Sequence, residues 1–395
     1  MASGAILALN AGSSSLKFAL FEIGDAPREI LRGELEDVGG KARLHARDAE
    51  GAVLADTDDA PDPMRDPDAA LATLLDWIES RIGDKALSAV GHRIVHGGQI
   101  FTRAVRLDAQ VLTALEALCP LAPLHQPHNI AGVRAVQKAR PSLVQTASFD
   151  TAFHAGHDAT VARIALPRRY EAEGVRRYGF HGLSYDYLSH RLATLDPALA
   201  RGRVIAAHLG SGASLCALKD GRSLDTTMGF SALDGLVMGT RCGVIDPGVL
   251  LYLMDHDGLD SAGVSDLLYR RSGLLGVSGE SGDLRVLLAS ASPEAKEAID
   301  LFVFRIAREA GALAATLAGL DGIVFSAGIG ENSAQVRAAV CARLAWLGVR
   351  LDEEANGRGG EGRISAPDSA VGVWVIPTDE ERVITRDAAA LLAAG

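Results

Sequence analysis

Three basic side chains of this 395-residue chain stand where short glycine turns would hold them still. Arg93 lies in GHRIVHGG (91–98), His181 in RRYGFHGLSY (176–185) and Arg241 in MGTRCGVIDPG (238–248), each within two residues of a glycine. A planar guanidinium grips a carboxylate or phosphate through two parallel hydrogen bonds. A histidine in a polar loop donates to a phosphoryl oxygen either as imidazolium or as a neutral N–H. Lys17, on the strand leaving the turn of ILALNAGSSSLKFAL (6–20), adds an ammonium that neutralises phosphate or holds an anionic substrate. The acidic candidates are Asp150, which ends QTASFD (145–150), and Glu380 with Glu381 in PTDEERVI (377–384). Mg²⁺ takes oxygen ligands and keeps several waters, so one or two such carboxylates suffice to hold it.

Glycine-rich turns supply the complementary half of this chemistry, because their backbone N–H groups converge on phosphate oxygens. One such turn lies in 6–20 and a second in VIAAHLGSGASLCAL (204–218). The two segments align without a gap at an offset of 198 residues, with identities at Ala8/Ala206, Gly12/Gly210, Ser13/Ser211, Ala19/Ala217 and Leu20/Leu218. That offset is half the chain and reads as an internal duplication. A third turn, IVFSAGIGENS (323–333), runs from an apolar strand into a loop where Gly328 and Gly330 allow close backbone approach to a ring or phosphate. Ser333 then starts the next helix. Neither of the first two turns is a Walker A loop, and the chain has no G-x-S-x-G elbow and no Rossmann fingerprint.

The elements that must position these residues alternate. Helical periodicity marks 69–81, 129–138 and 293–320, and strand-like runs mark 89–95, 145–150, 321–327 and 371–376. Residues 37–66 are polar, rich in Gly, Asp and Pro, and read as an irregular excursion. Mixed strands and helices in two similar halves predict an α/β protein of two duplicated domains. The 48% hydrophobic content supports a sizeable core. A net charge of −11, from 39 Lys plus Arg against 50 Asp plus Glu, argues against a general nucleic-acid binder. Four scattered cysteines, no signal segment and no ~20-residue apolar run point to a soluble protein of the cytoplasm, bound to no membrane.

Together the motifs resemble the acetate kinase family, within the superfamily of acetate and sugar kinases, heat-shock chaperones and actin. The resemblance runs from Leu9 to Asp387 through LNAGSSSLKF (9–18), GHRIVHGG (91–98), LAPLH (121–125), FDTAFH (149–154), RRYGFHG (176–182), HLGSGAS (208–214), MGFSALDGLVMGTR (228–241), GIGEN (328–332) and IPTDEE (376–381). It implies two ribonuclease-H-like domains of actin-like ATPase architecture around a nucleotide cleft, here residues 1–149 with 385–395 for the acyl-kinase domain and 150–384 for the nucleotide-binding one. It also implies a homodimer that moves the ATP γ-phosphate to and from acetate. Asn10 and Glu380 would hold Mg²⁺ or Mn²⁺, with Glu381 the alternative to Glu380. Lys17 and Arg93 would meet the acyl phosphate or carboxylate, and Arg241 and His181 the transferring phosphoryl. Asp150 matches the family's catalytic acid. His208, Leu209, Gly210, Ser211 and Gly212, then Asp283, Leu284 and Arg285, and Gly328, Ile329, Gly330, Glu331 and Asn332 would contact ATP. Val95, Leu124, Phe180 and Ala232 match the small apolar acyl pocket.

A carboxylate has its pKa near ~4–5 and is already ionised at neutral pH, so no general base is needed to make the nucleophile. The obstacle is bringing one anion to another, which positioning and charge neutralisation solve. On that argument Asp150 orients an arginine or a metal-bound water rather than accepting a proton. The sequence departs from the family pattern at Ser211 (usually Asn), Asp379 (usually Asn) and Ala232 (usually Pro). The exchange at 232 favours the alternative of a propionate or butyrate kinase. A non-catalytic actin-like polymer or chaperone ATPase would need the phosphate turns and adenosine loop, but not Arg93, His181 and Arg241 together.

Overall fold

Ile6–Leu9 and Val204–Ala207 are continuous apolar runs with no polar alternation, the pattern of a strand covered on both faces. Each is the central strand of its own sheet, and every residue from Ala5 to Leu9 and from Val204 to Ala207 is buried. The computed structural model describes residues 4–12, 15–24, 27–37, 42–57, 67–83 and 85–394. Ser13 and Ser14 of the first turn, with 38–41 and 58–66 of the expected excursion, lie outside them. The chain forms two units, Met1–Phe153 with Asp379–Gly395, and His154–Thr378.

The first unit holds β1 (Gly4–Ala11), β2 (Ser15–Glu22), β3 (Arg28–Glu36), β4 (Arg43–Asp48), β5 (Val53–Thr57), β6 (Ala86–Ile94), β7 (Val105–Arg106) and β8 (Val144–Phe149), in the sheet order β5-β4-β3-β2-β1-β6-β8-β7. The second holds β9 (Arg203–Leu209), β10 (Ala213–Lys219), β11 (Arg222–Thr226), β12 (Gly322–Ser326), β13 (Gly362–Arg363) and β14 (Gly372–Val375), in the order β11-β10-β9-β12-β14-β13. The shared arrangement is β3-β2-β1-β6-β8 against β11-β10-β9-β12-β14. In both, two antiparallel pairings are followed by two parallel ones. The duplication read from the 198-residue offset is therefore present at the level of topology. Its ungapped form is not. Ala8 faces Ala19 in the first hairpin, whereas Ala206 faces Cys216, not Ala217, in the second. Four positions separate ladder partners Ala11 and Leu16 in sequence and only three separate Leu209 and Ala213, so one residue is lost.

The excursion expected over 37–66 contains two strands. In β4 Leu44 and Ala46 are buried while Arg43 and Arg47 face solvent, and Asp48 caps the turn into β5 by accepting from the Glu50 and Ala52 amides. Charges on the outer face and Gly51 in the turn masked a period-2 alternation only a few residues long. The core of this unit packs helix Pro67–Glu79, through Leu71, Leu74, Leu75 and Ile78, against Leu7, Leu9, Phe18 and Leu20. On the other face the C-terminal helix Glu380–Ala393 packs against β1, β6 and β8 through Ala388, which meets Ile6 and Ala89.

Three histidines are buried in these cores: His92, His96 and His154. Burial lowers the first two to about 4 and His154 to about 3. Each folded-state value lies below that of the unfolded chain, so below pH ~6.5 the unfolded state binds more protons. Their contribution is complete above pH ~6.5 and is lost as pH falls toward 4, on the order of a few kcal/mol for the three by pH ~5. Glu380, raised by burial to about 7, acts in the opposite sense, as do Glu381, Asp225 and Glu309, which burial also raises, while His157, lowered by burial to about 4, adds to the three. The melting temperature is expected to fall between pH ~6.5 and ~5, before ordinary carboxylates titrate, and more steeply in Glu380→Gln. A flat profile there would refute the assignment.

Candidate active site

Parallel strands β1, β6 and β8 end at one edge of the first sheet, where open α/β sheets bind ligands. Asn10, Arg93 and Asp150 lie at those ends, and Glu380 opens the C-terminal helix. Arg93 Nε donates to both Asp150 oxygens at 3.0 and 3.1 Å, and its Nη2 donates to Oδ2 at 2.5 Å. Its Nη1 donates to Asn10 Oδ1 at 3.2 Å, and Asn10 Nδ2 donates to Glu380 Oε2 at 3.1 Å. Asp150 is 1% exposed and both its oxygens are taken up by Arg93. Three of the five guanidinium N–H groups are thereby used and two remain for a ligand. Burial pushes Glu380 up, Arg93 pulls it down and Asp150 raises it further, to about 7 in all. Glu381 is also raised by burial. Lys17 also pulls both carboxyls down, against the effect of burial. Lys17 pairs across the ladder with Asn10 on one side and Glu34 on the other, and is exposed.

Two side chains that the sequence reading passed over hold these strand ends in place. Asn129 Oδ1 accepts from the Val95 amide at 2.9 Å and its Nδ2 donates to the Ala11 carbonyl at 2.9 Å, tying β1 to β6. Gln126 accepts from the His96 amide at 3.1 Å and donates to the His96 carbonyl at 3.0 Å. Both lie on the buried face of helix Gln126–Ala139 with Ile130, Val133 and Val136. An amide on an otherwise apolar helix stripe was the available signal, since a buried amide must find partners.

In the second unit, helix Gly182–Leu195 starts directly after His181, so part of RRYGFHGLSY is helix rather than loop. His181 Nδ1 is 2.8 Å from Ser214 Oγ, and its ring stacks on His208 at 4.1 Å between centroids. His208 Nδ1 is 2.8 Å from Ser184 Oγ. Arg241 Nη1 donates to the Ala232 carbonyl at 2.7 Å. The second Gly/Ser turn is where these groups meet: a Cβ on Gly212 would lie 2.8 Å from Arg241 Nη2 and 3.3 Å from His181 Nε2. Glycine here is what lets a guanidinium and an imidazole approach one phosphate-type turn. Gly210, Ser211 and Leu209 complete the turn and the strand leading into it.

Asp283 caps helix Leu284–Ala289, accepting from the Arg285 amide at 2.9 Å, and pairs with the Arg285 guanidinium at 2.6 Å. Leu284 is buried, while Arg285 stands in solvent. This loop reaches the second Gly/Ser turn through backbone: a Cβ on Gly239 would lie 3.0 Å from the Gly282 carbonyl, and the Gly239 amide donates to the Ser211 carbonyl at 3.2 Å. The expected loop at 328–332 is a helical turn, Ala327–Asn332. Arg337, 1% exposed and not singled out from sequence, forms it by donating to the Gly330 and Glu331 carbonyls at 2.9 Å each and to Asn356. Orphan carbonyls at a helix end find a cation in this way. Glu331 Oε1 accepts from the Thr378 amide at 3.1 Å, and Asn332 Nδ2 donates to the Gly328 carbonyl at 2.9 Å. Ser333 caps the next helix, as read. Ile329 precedes Gly330, where an added Cβ would lie 3.4 Å from the Phe325 backbone. Of the four acyl-pocket candidates, Val95 and Leu124 belong to the first unit, Phe180 and Ala232 to the second.

The description of the acetokinase family matches residues 5–386. The chain belongs to the acetokinase family. An acetate kinase from Rhodopseudomonas palustris (strain TIE-1) is 52% identical over 389 residues, 97% of each chain. An acetate kinase from Rhizobium meliloti is 48% identical over 99% of each. Among solved structures, the Porphyromonas gingivalis acetate kinase matches with a TM-score of 0.85 and 38% identity, covering 99% of this acetokinase and all of that chain. A propionate kinase from Francisella tularensis matches with a TM-score of 0.88 and 36% identity over 97% and 98%. The acetokinase thus has the two-domain actin-like fold of these enzymes, in keeping with the sheet order repeated in its two units.

Proposed function

We propose that this acetokinase is an acetate kinase, catalysing reversible transfer of the ATP γ-phosphate to acetate. The observation that carries the reading is the convergence of Arg241 and His181 on the Gly212 turn. In this reading the second unit takes the nucleotide phosphates, through His208–Gly212, Asp283–Arg285 and Gly328–Asn332. The first takes the carboxylate through Arg93 and Lys17. A carboxylate oxygen attacks the γ-phosphorus as the bond to the ADP oxygen breaks. ADP leaves with the electron pair, and no proton moves. Arg241 and His181 stabilise charge on the transferring group. Asp150, with both oxygens on Arg93, holds that guanidinium in position and is not free to act as a base.

Mg²⁺, or Mn²⁺ in its place, fits the first unit. Asn10 and Glu380 present hard oxygen donors, and burial raises Glu380, so a cation beside it would stabilise its charged form. Glu380, with Asn10, would hold the ion, which when bound neutralises phosphate charge. Glu380→Ala is expected to raise the Mg²⁺ concentration needed for half-maximal rate and to lower turnover with the fold intact. An unchanged Mg²⁺ titration in the folded variant would pass the role to Glu381.

The residue at 232 bears on substrate size. Alanine at 232 in place of the family's proline makes room for about one methylene, worth ~0.8 kcal/mol when buried. Such pockets discriminate by only ~1–3 kcal/mol per methylene. Propionate is expected to show a kcat/KM close to or above that of acetate, and Ala232→Pro to shift the ratio back. Proline keeps the carbonyl that holds Arg241. An acetate preference unaffected by the substitution would end this account of specificity. The propionate kinase among the structural relatives makes that substrate the second reading. A homodimer in the cytoplasm completes the proposal. It is supported by the exposed Leu251, Tyr252 and Met254 on helix Pro247–His256, four free cysteines, and the lack, among described residues, of a helix able to cross a membrane. A hydroxamate assay for acyl phosphate, with ATP and acetate, propionate or butyrate, tests the activity. Failure of all three to give hydroxamate would refute it.

A further inference from the structure

The motif FDTAFH ends in His154, a residue the proposed chemistry does not use. Its ring is buried, and both nitrogens have partners: Nε2 lies 2.9 Å from the Phe180 carbonyl oxygen and Nδ1 2.8 Å from Ser223 Oγ. A carbonyl oxygen only accepts, so Nε2 carries the hydrogen and donates to it. Burial keeps the ring neutral, its pKa lowered to about 3, so Nδ1 accepts from the Ser223 hydroxyl. Ser223 Oγ in turn accepts from His157 Nε2 at 2.7 Å and from the Cys216 thiol at 3.2 Å. The one hydrogen and two lone pairs of that hydroxyl are all engaged, which fixes the tautomer and orientation of His154.

What this ring braces is the turn that presents His181. Gly179 (φ 79°) and His181 (φ 57°) are both left-handed, and the second bears a side chain that makes the conformation costly. The Phe180 carbonyl lies between them. A Cβ on Gly179 would come within 2.6 and 2.7 Å of His154 ring atoms, so the ring packs directly on the turn backbone. Tyr185 meets His154 edge-on at 5.8 Å, and its hydroxyl bonds Ser214 Oγ, the partner of His181 Nδ1. His154 therefore supports His181 by two routes, through the backbone of 179–181 and through Tyr185 and Ser214.

We propose that His154, locked by Ser223, is a positioning residue that holds His181 toward Arg241 beside Gly212. The inference rests on the reading of His181 as a group that meets the transferring phosphoryl. The test is a double-mutant cycle on the full chain, reading kcat and the KM values for ATP and acetate, with thermal melting as the control for folding. His154→Phe keeps an aromatic ring and removes both hydrogen bonds. It is expected to lower kcat about 10- to 100-fold with both KM values within about threefold, since a small misplacement costs up to ~10²-fold. His154→Gln, which retains a donor and an acceptor, is expected to recover part of the loss. In a His181→Ala background, His154→Phe is expected to cost less than about twofold more, because the group it positions is gone. An equal loss in both backgrounds, or an undiminished kcat in folded His154→Phe, overturns the proposal. If His154→Phe does not fold, Ser223→Ala decides. A several-fold loss in the parent with none in His181→Ala supports positioning, and equal loss or no loss in both overturns it. A His181→Ala enzyme as active as the parent, with His154 intact, refutes the role of His181 itself and the proposal with it.

Discussion

Replacing Arg241 by alanine is expected to lower kcat by on the order of 10³ or more, the usual loss when an arginine that stabilises phosphoryl-transfer charge is removed. The fold is expected to survive, because Arg241 is half-buried and its guanidinium bonds a loop carbonyl, that of Ala232. Arg241→Lys keeps the charge and loses the planar fork that spans the Ala232 carbonyl and the Gly212 turn, so it is also expected to be severely impaired. Steady-state rates with the melting temperature of each variant check this. An alanine variant within a few-fold of the parent would remove Arg241 from the reaction.

Arg93→Ala is expected to do two things at once. It removes a cation from the carboxylate end of the site, and it leaves Asp150, 1% exposed, without the guanidinium that engages both its oxygens. Breaking a buried pair from one side typically costs about 3–5 kcal/mol. A lowered denaturation midpoint and loss of turnover should therefore appear together. The double variant Arg93→Ala/Asp150→Ala separates the effects. Removing the orphaned charge should recover part of the stability and none of the activity. If the two single losses of stability simply add, Asp150 is not held by Arg93. If Asp150→Ala alone leaves turnover intact, the positioning role assigned to Asp150 is wrong.

The candidate side chains stood out by their surroundings: His181 and Arg241 sit in turns with glycines close by, and Arg93 near the end of a strand that leads into Gly97 and Gly98. The repeat was legible in the central strands, whose burial on both faces demands unbroken apolar runs. It was blurred at the turn, where one lost residue shifts the pairing of Ala206 from Ala217 to Cys216. β4 and β5 were hidden because the strands at this end of the sheet carry charge on their outer face, and RLHARD shows only Leu44 and Ala46 of its inner one. Asn129, Gln126 and Arg337 were hidden for a different reason. They act on backbone carbonyls and amides far away in the chain, and nothing in local spacing reports where those groups will lie. The glycines of 328–332 suggested a loop, whereas the carbonyls held by Arg337 close that segment into a helical turn.

In the proposed reaction a carboxylate oxygen attacks the γ-phosphorus of ATP. Phosphorus NMR of the protein with ATP, Mg²⁺ and acetate labelled with ¹⁸O in its carboxylate reads that event directly. ADP is expected together with an acyl phosphate whose phosphorus resonance carries the isotope shift of one bridging ¹⁸O, both products depending on the fatty acid. AMP with pyrophosphate, label in AMP, or ADP with free phosphate formed at the same rate without acetate would contradict it.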